Sequence, residues 1–585
     1  MRSTTVLFGV LLAACAEPEA GTLRIRILDA ARGTELAARL ELIDARGEAW
    51  VAAGAVPLRF ECLLQPLPDW AAERVSISRE LRNPHTGTTQ FYADGSAEIA
   101  LPAGRYRLRA FRGIEYEVAE QQIELDAGET QAATVALRRW IDLPAEGWWS
   151  ADDHLHITRR TPEDDRHIAA WMRAEDVHVA NLLQMGTVDQ FGVTPQHDFG
   201  AAGEYRSGET LLLAGQEHPR THFLGHTITL AANAPIDLRD TYIAYDSTWR
   251  AAEREHGLPG YAHFGMGPAR DGLTLDAPRG LVFFLEVLQF ELPYYETWYD
   301  LLNLGLRLTP TAGTDFPCGT WSVPGRERFY TRLDAAPTRE SWRESVRAGR
   351  TFVTNGPLVD LRVGAAGIGD EIELPGPAHI ALEGRVRYDP KRDDVQRVEL
   401  LRNGEPIPAP ALRVGPGELR FRVEHDLADS AWFALRVSGD KLGEAPIQPG
   451  LPEWVLDGGE RYMNFREQMD RSEASYAGRG RVRPSAAHTA PIYVTVKDSA
   501  PLPRARELAA AALARLEALE ARLSDEHIEE QTLWDWLPYS DGVSASHLRQ
   551  NRPALLRAIA EARERYAAIL GAASADQTFR SRPTQ

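Results

Sequence analysis

The N-terminal part of the chain contains short runs in which apolar and polar residues alternate. Examples are TLRIRILDA, RLELIDA and RYRLRAF, and turn-forming segments such as LPAG and LDAG separate the runs between residues 22 and 142. Alternation with a period of two places the apolar side chains on one face of a strand, and frequent turns favour short antiparallel strands. The pattern therefore predicts an N-terminal β-sandwich over residues 22–142.

A different pattern follows from residue 143 to residue 357, where strand-like runs alternate with helix-like runs. One helix should begin after HLHI, because Thr161 is a good capping residue, Pro162 fits the first turn and three acidic residues follow. The runs LLLAGQE, LVFFLEVLQF and RLTPTAGTDF have the composition of buried strands. This alternation indicates βα units that close into a barrel or form a layered sheet.

Strand-like alternation returns between residues 358 and 500, in RVRYD, RVELLRNGEPI and WFALRVSG, and predicts a second β-sandwich. Residues 501–575 are predicted to be helical, because an apolar stripe recurs at helical spacing and LLRAIAEARERYAAIL supplies a partner. We expect a helical hairpin there, followed by a disordered tail over residues 576–585. The stripe consists of Ala512, Leu516, Leu519 and Leu523.

The first residues of the chain have the features of a secretory leader. One basic residue precedes an apolar run that is too short to span a bilayer, and small residues precede Cys15. Leu12-Ala13-Ala14-Cys15 resembles a bacterial lipobox, in which the cysteine is acylated. We therefore predict a lipoprotein signal peptide over residues 1–14, a lipid anchor at Cys15 and a linker over 15–21. The protein would lie in the cell envelope, in the periplasm or on the outer membrane; an ordinary signal peptide with an incidental cysteine is the alternative.

Composition narrows the possible partners and the chemistry. The 585 residues, 44% of them apolar, suffice for three or four domains of about 100–200 residues. The formal net charge of −19 argues against nucleic acid as a partner, because neutralising phosphates requires clustered Lys and Arg. Apart from Cys15, only Cys62 and Cys318 are present, so neither a disulfide framework nor a cysteine metal site is predicted. A metal site would therefore use His, Asp and Glu.

Imidazole and carboxylate side chains fall near the ends of the predicted buried strands. In a βα barrel the C-terminal strand ends meet at one face, so residues distant in sequence can form one site there. Taken singly, a His or acid at a strand end is usually solvated or hydrogen-bonded. Repeated at strand after strand beside Leu and Phe, such groups are costly to bury unless they are paired or bind metal. The candidate ligands are His154, His156, Glu217, His226, His263, Glu286 and Asp315.

The chain also carries an ordered set of segments that resembles the PHP (polymerase and histidinol phosphatase) superfamily. These segments are DDHLHI, GQEHPRTHFLGH, YAHFG, LEVLQF, WYDLLNLGLRLTPTAGTDFP and GRTFVTNGP. They are most similar to the CehA/McbA metallohydrolase branch, which includes a carbaryl hydrolase, and the similarity covers about residues 147–363. The resemblance implies a distorted (β/α)7 barrel over residues 143–357, flanked by the two β-sandwiches, with metals at the C-terminal ends of its strands.

By position, the resemblance implies two metal sites that share one carboxylate. The first would use His154, His156, Glu217 and Asp315, and the second would use Glu217, His226 and His263. Asp152 matches an acidic position of the family that supports the ligands, and Glu286 matches a further family carboxylate that we include among the candidate ligands.

Two departures from the family pattern limit the number of metals. Leu183-Gln184 stands where many members have an Asp-His pair, and Asp315-Phe316-Pro317 stands where Asp-x-His is usual. Both missing ligands belong to a third metal, so we predict at most two ions. The losses leave an alternative open, a catalytically degenerate PHP-like lipoprotein that acts as a binding or adhesion module. They fall on one metal position and spare the other two, which favours an enzyme.

The predicted reaction is hydrolysis. Mixed His and carboxylate ligation suits Zn²⁺, Mn²⁺ or Fe²⁺, and a metal-bound hydroxide can attack an ester, amide, carbamate or phosphoester of a small-molecule substrate. Arg220 is a candidate catalytic residue that would clamp an anionic group, with a surface salt bridge as an equal alternative. His218 and His222 are candidate proton donors or supports of the ligands. Neither the substrate nor the oligomeric state follows from the sequence.

Overall fold

The computed structural model describes residues 20–59, 77–82, 89–186, 188, 191–221, 223–238, 241–262, 269–289, 292–293, 295–317, 323–393, 395–408, 411–439, 485–528 and 543–572. The predicted signal peptide, the lipidation site Cys15 and the predicted C-terminal tail lie outside these residues.

The N-terminal part consists of strands that share one apolar core. Its strands are β1 (Gly21–Asp29), β2 (Ala37–Asp44), β3 (Ala49–Trp50), β4 (Leu58–Arg59), β5 (Ile77–Ser78), β6 (Leu81–Arg82), β7 (Thr89–Asp94), β8 (Ser96–Leu101), β9 (Gly104–Phe111), β10 (Ala119–Leu125) and β11 (Thr130–Leu137). One sheet has the order β11-β1-β8, a second has the order β10-β9-β2-β7-β6, and β4 pairs with β5. The alternating apolar residues of β1, β2, β9 and β11 fill the core, as the period-two pattern predicts.

The central part combines strands with helices. Its strands are β12 (Trp148–Leu155), β13 (Val179–Gly186), β14 (Phe191–Val193), β15 (Tyr205–Ser207), β16 (Thr210–Thr221), β17 (Gly225–Leu230), β18 (Leu258–Tyr261), β19 (Phe284–Gln289), β20 (Leu292–Pro293), β21 (Thr309–Ala312), β22 (Arg328–Arg332) and β23 (Thr351–Thr354). The pairs β12–β13, β13–β16, β18–β19 and β19–β21 are parallel, whereas β16–β17 and β17–β18 are antiparallel. A parallel bridge between Leu155 and Phe316 joins the end of β12 to the segment after β21.

Helices connect or cover these strands. They are α1 (Pro162–Ala174), α2 (Asp246–Arg254), α3 (Ala269–Asp276), α4 (Tyr295–Asn303) and α5 (Arg339–Arg347), with short 3-10 turns at Pro144–Glu146 and Ala277–Arg279. The predicted start of α1 is confirmed, because Thr161 and Asp164 form a capping box in which the Thr161 backbone N–H donates to Asp164 Oδ2 at 3.0 Å.

Helix α1 packs on the N-terminal part through apolar and ionic contacts. The Trp171 ring stacks on the Tyr92 ring with centroids 6.1 Å apart. At the C-terminal end of the helix, the buried Glu175 carboxylate accepts hydrogen bonds from Arg39 Nε at 2.6 Å and from Tyr92 Oη at 2.7 Å. The N-terminal part is therefore docked on the central part by buried contacts.

The third part begins at residue 358. Its strands are β24 (Leu358–Val363), β25 (Glu371–Leu374), β26 (Ala378–Arg387), β27 (Arg397–Arg402), β28 (Glu405–Pro406), β29 (Arg413–Gly415), β30 (Glu418–Leu427), β31 (Ala431–Ser438), β32 (Ala486–Thr489) and β33 (Ile492–Val496). Strands β24-β26-β30-β29 form one sheet. The others join the sheet of the central part, because β23 pairs antiparallel with β32 and places Phe352 opposite Thr489. Hydrogen bonding thus continues across the boundary that we predicted at residue 357.

Two long helices, α6 (Ala505–Arg522) and α7 (Ala545–Gly571), end the described chain. The predicted apolar stripe of α6 is buried in the core that both helices share with the central part. The Arg522 guanidinium lies over the Phe223 ring, 4.9 Å from its centroid, so α6 contacts the connection between β16 and β17. Among the described helices, none combines the length and the apolar composition needed to cross a bilayer. The (β/α)7 barrel and the two β-sandwiches stay predictions of the sequence.

Candidate metal centre

The candidate residues are carried by the ends of neighbouring strands. His154 lies in β12 and His156 directly follows it, Glu217 lies in β16, Glu286 lies in β19, and Asp315 comes three residues after β21. Parallel pairing of β12, β13 and β16 puts their C-terminal ends at one edge, and the Leu155–Phe316 bridge brings the segment of Asp315 to the same edge.

Three side chains converge into one buried group that can hold a metal ion. The Nε2 atoms of His154 and His156 are 3.0 Å apart. Asp315 Oδ1 lies 3.5 Å from the first of these atoms and 3.1 Å from the second. All three residues are buried, and their ligand atoms lie within 4.8 Å of one another. The convergence that we predicted for these three residues is therefore present.

The carboxylate of Glu217 faces two imidazoles at once. Its Oε2 atom lies 3.3 Å from His156 Nε2 and 3.9 Å from His154 Nε2. Its Oε1 atom lies 2.7 Å from His226 Nδ1. Glu217 thus connects the buried group to His226, whose side chain is partly exposed.

The opposite ring nitrogen of each histidine is held by an oxygen acceptor. His154 Nδ1 lies 3.2 Å from both carboxylate oxygens of Glu286, and His156 Nδ1 lies 3.2 Å from the Leu183 carbonyl oxygen. A proton on Nδ1 satisfies these acceptors and leaves the lone pair on Nε2 for a cation. Glu286, which the sequence placed among the candidate ligands, therefore lies on the other side of the His154 ring from the convergent Nε2 atoms.

Asp152 connects the strand of the histidines to the segment of Asp315. Its buried carboxylate accepts hydrogen bonds from the His154 backbone N–H at 3.0 Å and from Thr314 Oγ1 at 2.7 Å, and also from the Thr314 and Gly325 backbone N–H groups. Burial raises the pKa of Asp152 to about 6, although these hydrogen bonds act in the opposite direction. Asp152 therefore holds the segment of Thr314 and Asp315 against β12.

The electrostatics of the group favour a cation. Burial by itself lowers the pKa of His154, but the carboxylates of Glu286, Asp315 and Glu217 outweigh burial and raise the pKa to about 10. The pKa of His156 is raised in the same way, by Asp315 and Glu217 against burial. The carboxylates around the two imidazoles therefore favour positive charge at this group, as a bound cation or as a proton.

The predicted catalytic residues occupy different positions around the group. Arg220 Nε lies 3.6 Å from Glu217 Oε2, and Arg220 Nη1 contacts Met185 Sδ at 2.9 Å. His218 is buried edge-on against Tyr242, with ring centroids 4.8 Å apart, and burial lowers its pKa to about 4. His218 is therefore neutral at pH 7. The candidates His222 and His263 lie outside the described residues. Of the second predicted metal site, the structure therefore describes only Glu217 and His226.

Three further residues of the site were not identified from the sequence. Gln289 Nε2 lies 3.2 Å from His154 Nδ1. Asp153 is fully buried, and burial together with the charge of Glu286 raises its pKa well above the usual range. Gly313 leaves no room for a side chain, since a Cβ atom there would lie 2.5 Å from His154 Cβ. Asp153 is the second aspartate of DDHLHI and Gly313 is the glycine of TAGTD, so both lie within two residues of a candidate ligand. This proximity was the sequence signal that could have identified them.

Comparison with known proteins adds little to this description. No family model matches the chain, and no curated protein matches it. Among solved structures, the chain is 17% identical to a Streptococcal ancillary pilin over 24% of this chain and 38% of the pilin chain, with a TM-score of 0.14. The chain thus spans well under half of the pilin, and the likeness carries no argument at this TM-score.

Proposed function

We propose that this protein is a divalent-metal-dependent hydrolase. The observation that carries the proposal is the buried convergence of His154 Nε2, His156 Nε2 and Asp315 Oδ1. Buried imidazoles and carboxylates at such distances are costly without a cation or protons between them. The group supplies two imidazole nitrogens and one carboxylate oxygen, which are donor types that catalytic metal sites commonly use.

The donor set fits Zn²⁺, Mn²⁺ or Fe²⁺, because imidazole nitrogen and carboxylate oxygen together suit these ions. A second ion is supported by Glu217, whose two oxygens face the His154–His156 pair and His226 separately. We propose that Glu217 would be a ligand of both ions and that His226 and His263 would be the other ligands of the second ion. This part of the proposal rests on the resemblance to the PHP superfamily as well as on the position of Glu217.

The residues around the ligands have separate tasks in this proposal. Glu286 and the Leu183 carbonyl orient the two imidazoles by accepting hydrogen bonds from their Nδ1 atoms. Asp152 holds the segment of Asp315 against β12. Arg220 places a guanidinium beside Glu217, where it would bind an oxyanion of the substrate.

Divalent ions of this kind supply Lewis acidity and activate water as a nucleophile near neutral pH. The reaction that follows is hydrolysis of an ester, amide, carbamate or phosphoester in a small-molecule substrate. The lipobox-like segment supports a lipid-anchored protein of the cell envelope, joined to the membrane through Cys15.

Metal analysis combined with hydrolysis assays tests the proposal. The purified protein, incubated with Zn²⁺, Mn²⁺ or Fe²⁺ and then freed of excess metal, should retain stoichiometric metal and hydrolyse members of an aryl ester, carbamate and phosphoester panel. His156→Ala should lose both metal and activity. His379→Ala is the control, because His379 is exposed and pairs with Asp426 on a different sheet. A folded wild-type protein that retains no metal and hydrolyses nothing would support the binding-module alternative.

A further inference from the structure

A cleft of about 490 Å³ lies between the N-terminal part and the β24–β26–β30–β29 sheet. One wall comes from the residues that flank β10 and β11, and the other comes from the ends of β26 and β30. Small-molecule sites occupy about 300–1,000 Å³ and occur preferentially between domains. None of the residues of the candidate metal centre lines this cleft, so the two features are separate.

Contacts beside the cleft connect the β24–β26–β30–β29 side with the N-terminal part and with the 3-10 turn that follows it. Arg387 forms a bidentate ion pair with Glu146, with Nη2 and Oε2 at 2.8 Å. Arg392 Nη2 donates to the Ile114 carbonyl oxygen at 2.7 Å. The same carbonyl accepts the Trp140 indole N–H at 2.9 Å. These contacts fix the position of the two sides relative to each other, so a ligand would not have to bring them together.

Aromatic rings line both walls. Trp140 lies on the N-terminal wall and Tyr388 on the opposite wall, and both residues are half-buried. Because the indole N–H of Trp140 already donates to Ile114, the remaining ring surface can contribute apolar contact. Pro390 and Pro416 add exposed apolar surface at the ends of the two strands.

Four of the six charged side chains that line the cleft form two ion pairs with each other. Arg138 pairs with Glu117 on one wall, and Arg385 pairs with Glu418 on the other. Three arginines and three acidic residues line the cleft, so their formal charges cancel. An anionic ligand would need uncompensated cations, which this lining lacks. Side-by-side donors and acceptors instead match hydroxyl groups, since each hydroxyl both donates and accepts.

We propose that this cleft binds a neutral oligosaccharide. The apolar face of a sugar ring would stack on Trp140 or Tyr388, and its hydroxyls would exchange hydrogen bonds with the Arg138–Glu117 and Arg385–Glu418 pairs. This binding activity is independent of hydrolysis at the metal centre, and its test does not require an active enzyme.

Calorimetric titration of the full chain with maltohexaose, cellohexaose and chitohexaose tests the proposal. At least one of these neutral probes should bind, and a heparin hexasaccharide and a proline-rich peptide should not. Tyr388→Ala and Trp140→Ala should each weaken binding about tenfold, whereas Trp140→Phe should retain most of it because a ring is kept.

The control variant is Trp50→Ala, which removes a half-buried aromatic residue of the N-terminal part outside the cleft. It should leave oligosaccharide binding unchanged, and thermal melts should show that each variant is folded. The proposal is overturned if no neutral probe binds, if only heparin or the peptide binds, or if Trp50→Ala weakens binding as much as Tyr388→Ala.

Discussion

The two histidines of the candidate metal centre are oriented by acceptors of different charge. His154 faces the carboxylate of Glu286 and His156 faces the neutral carbonyl of Leu183. A carboxylate acceptor increases the electron density of an imidazole ligand more than a carbonyl does. We therefore expect His154 to be the stronger ligand of the pair and Glu286 to matter through its charge.

Glu286→Gln tests this expectation. The amide oxygen can still accept a hydrogen bond from His154 Nδ1, but the negative charge is lost. Affinity for Zn²⁺, measured by competition with a chelator, should fall about 10- to 100-fold. Glu340→Gln, which changes an exposed acid of α5, should leave the affinity unchanged. Equal affinity in wild type and Glu286→Gln would show that the carboxylate charge is not needed.

At the residue scale, the motifs were sufficient to identify the candidate ligands but not the residues around them. His154, His156 and Asp315 follow from an ordered set of short segments. Gln289 was missed because side chains three apart in a regular strand point to opposite faces. The register of β19 shifts between Glu286 and Leu288, so the regular alternation does not hold there. Such irregularities depend on tertiary pairing and leave little trace in a single sequence.

At the scale of secondary-structure elements, register shifts coincide with the site. The pairing of β12 with β13 shifts between Asp152 and Leu155, and the pairing of β16 with β17 shifts between Glu217 and Arg220. Bulges redirect side chains and are frequent beside active sites. The helix starts were easier to predict, because Thr161 and Asp164 make contacts that are local in the sequence.

The connection between β12 and the segment after β21 can be tested through Asp152. Asp152→Asn replaces one accepting oxygen with an NH2 group. Either the backbone N–H groups of His154 and Thr314 or that of Gly325 then lose their acceptor. The free energy of unfolding should fall by about 1–3 kcal/mol in denaturant titrations, and Zn²⁺ affinity should fall as well. Thr314→Val removes a single hydroxyl donor and should cost less, and Thr314→Ser should be close to wild type. A Thr314→Val variant that is less stable than Asp152→Asn would contradict this order.

At the scale of the whole molecule, buried ion pairs join the N-terminal part to α1. The side chains of Arg39 and Glu175 are 10% and 3% exposed, whereas those of Arg24 and Glu98 on the surface of the N-terminal part are 62% and 60% exposed. Removing one partner of a buried pair leaves a charge without compensation, which solvent cannot screen. The two pairs should therefore respond differently to the same substitution.

Arg39→Met should lower the free energy of unfolding by about 3–5 kcal/mol, and Arg24→Met by less than about 1 kcal/mol. Denaturant titrations followed by circular dichroism would measure both values. Similar losses in the two variants would mean that the contact between Arg39 and Glu175 does not stabilise the interface.

Stability should also depend on pH through a buried histidine of the third part. His488 is fully buried, and burial, assisted by Arg436, lowers its pKa to about 3. Tyr295 and Tyr299 of α4 face the same ring. An unfolded chain binds a proton at this histidine below about pH 6.5, but the folded chain does not until about pH 3. The contribution of neutral, buried His488 to the free energy of unfolding is therefore complete above about pH 6.5 and is lost progressively as the pH falls towards 3.

His488→Gln isolates this contribution. Gln can still accept a hydrogen bond from Tyr299 and donate one to the Thr489 carbonyl, but it does not titrate. The decrease in melting temperature between about pH 7.5 and about pH 5 should be smaller in this variant than in wild type. The exposed His379 has a pKa raised by its hydrogen bond to Asp426, so His379→Gln should not reduce the decrease. An unchanged decrease in His488→Gln would assign the effect to other groups.

The pairing of strands between the parts of the molecule was less predictable than the individual strands and helices. Alternation in the sequence predicts the strands of the third part, and helical spacing predicts α6 and α7. The pairing of β23 with β32 joins residues more than one hundred positions apart, and no local pattern encodes such a partner. The boundary predicted at residue 357 marks a change in pattern, although the hydrogen-bonded sheet continues through it.

The hydrogen bonding between β23 and β32 determines where the chain can be cut without exposing a strand edge. A chain cut at residue 357 would keep β23 but lose β32, and one side of β23 would then present unpaired N–H and C=O groups. Exposed strand edges of this kind recruit other chains and cause aggregation. Isolated fragments of the central part should therefore be insoluble unless residues 485–496 accompany them. Point substitutions are the way to separate the candidate metal centre from the proposed oligosaccharide cleft.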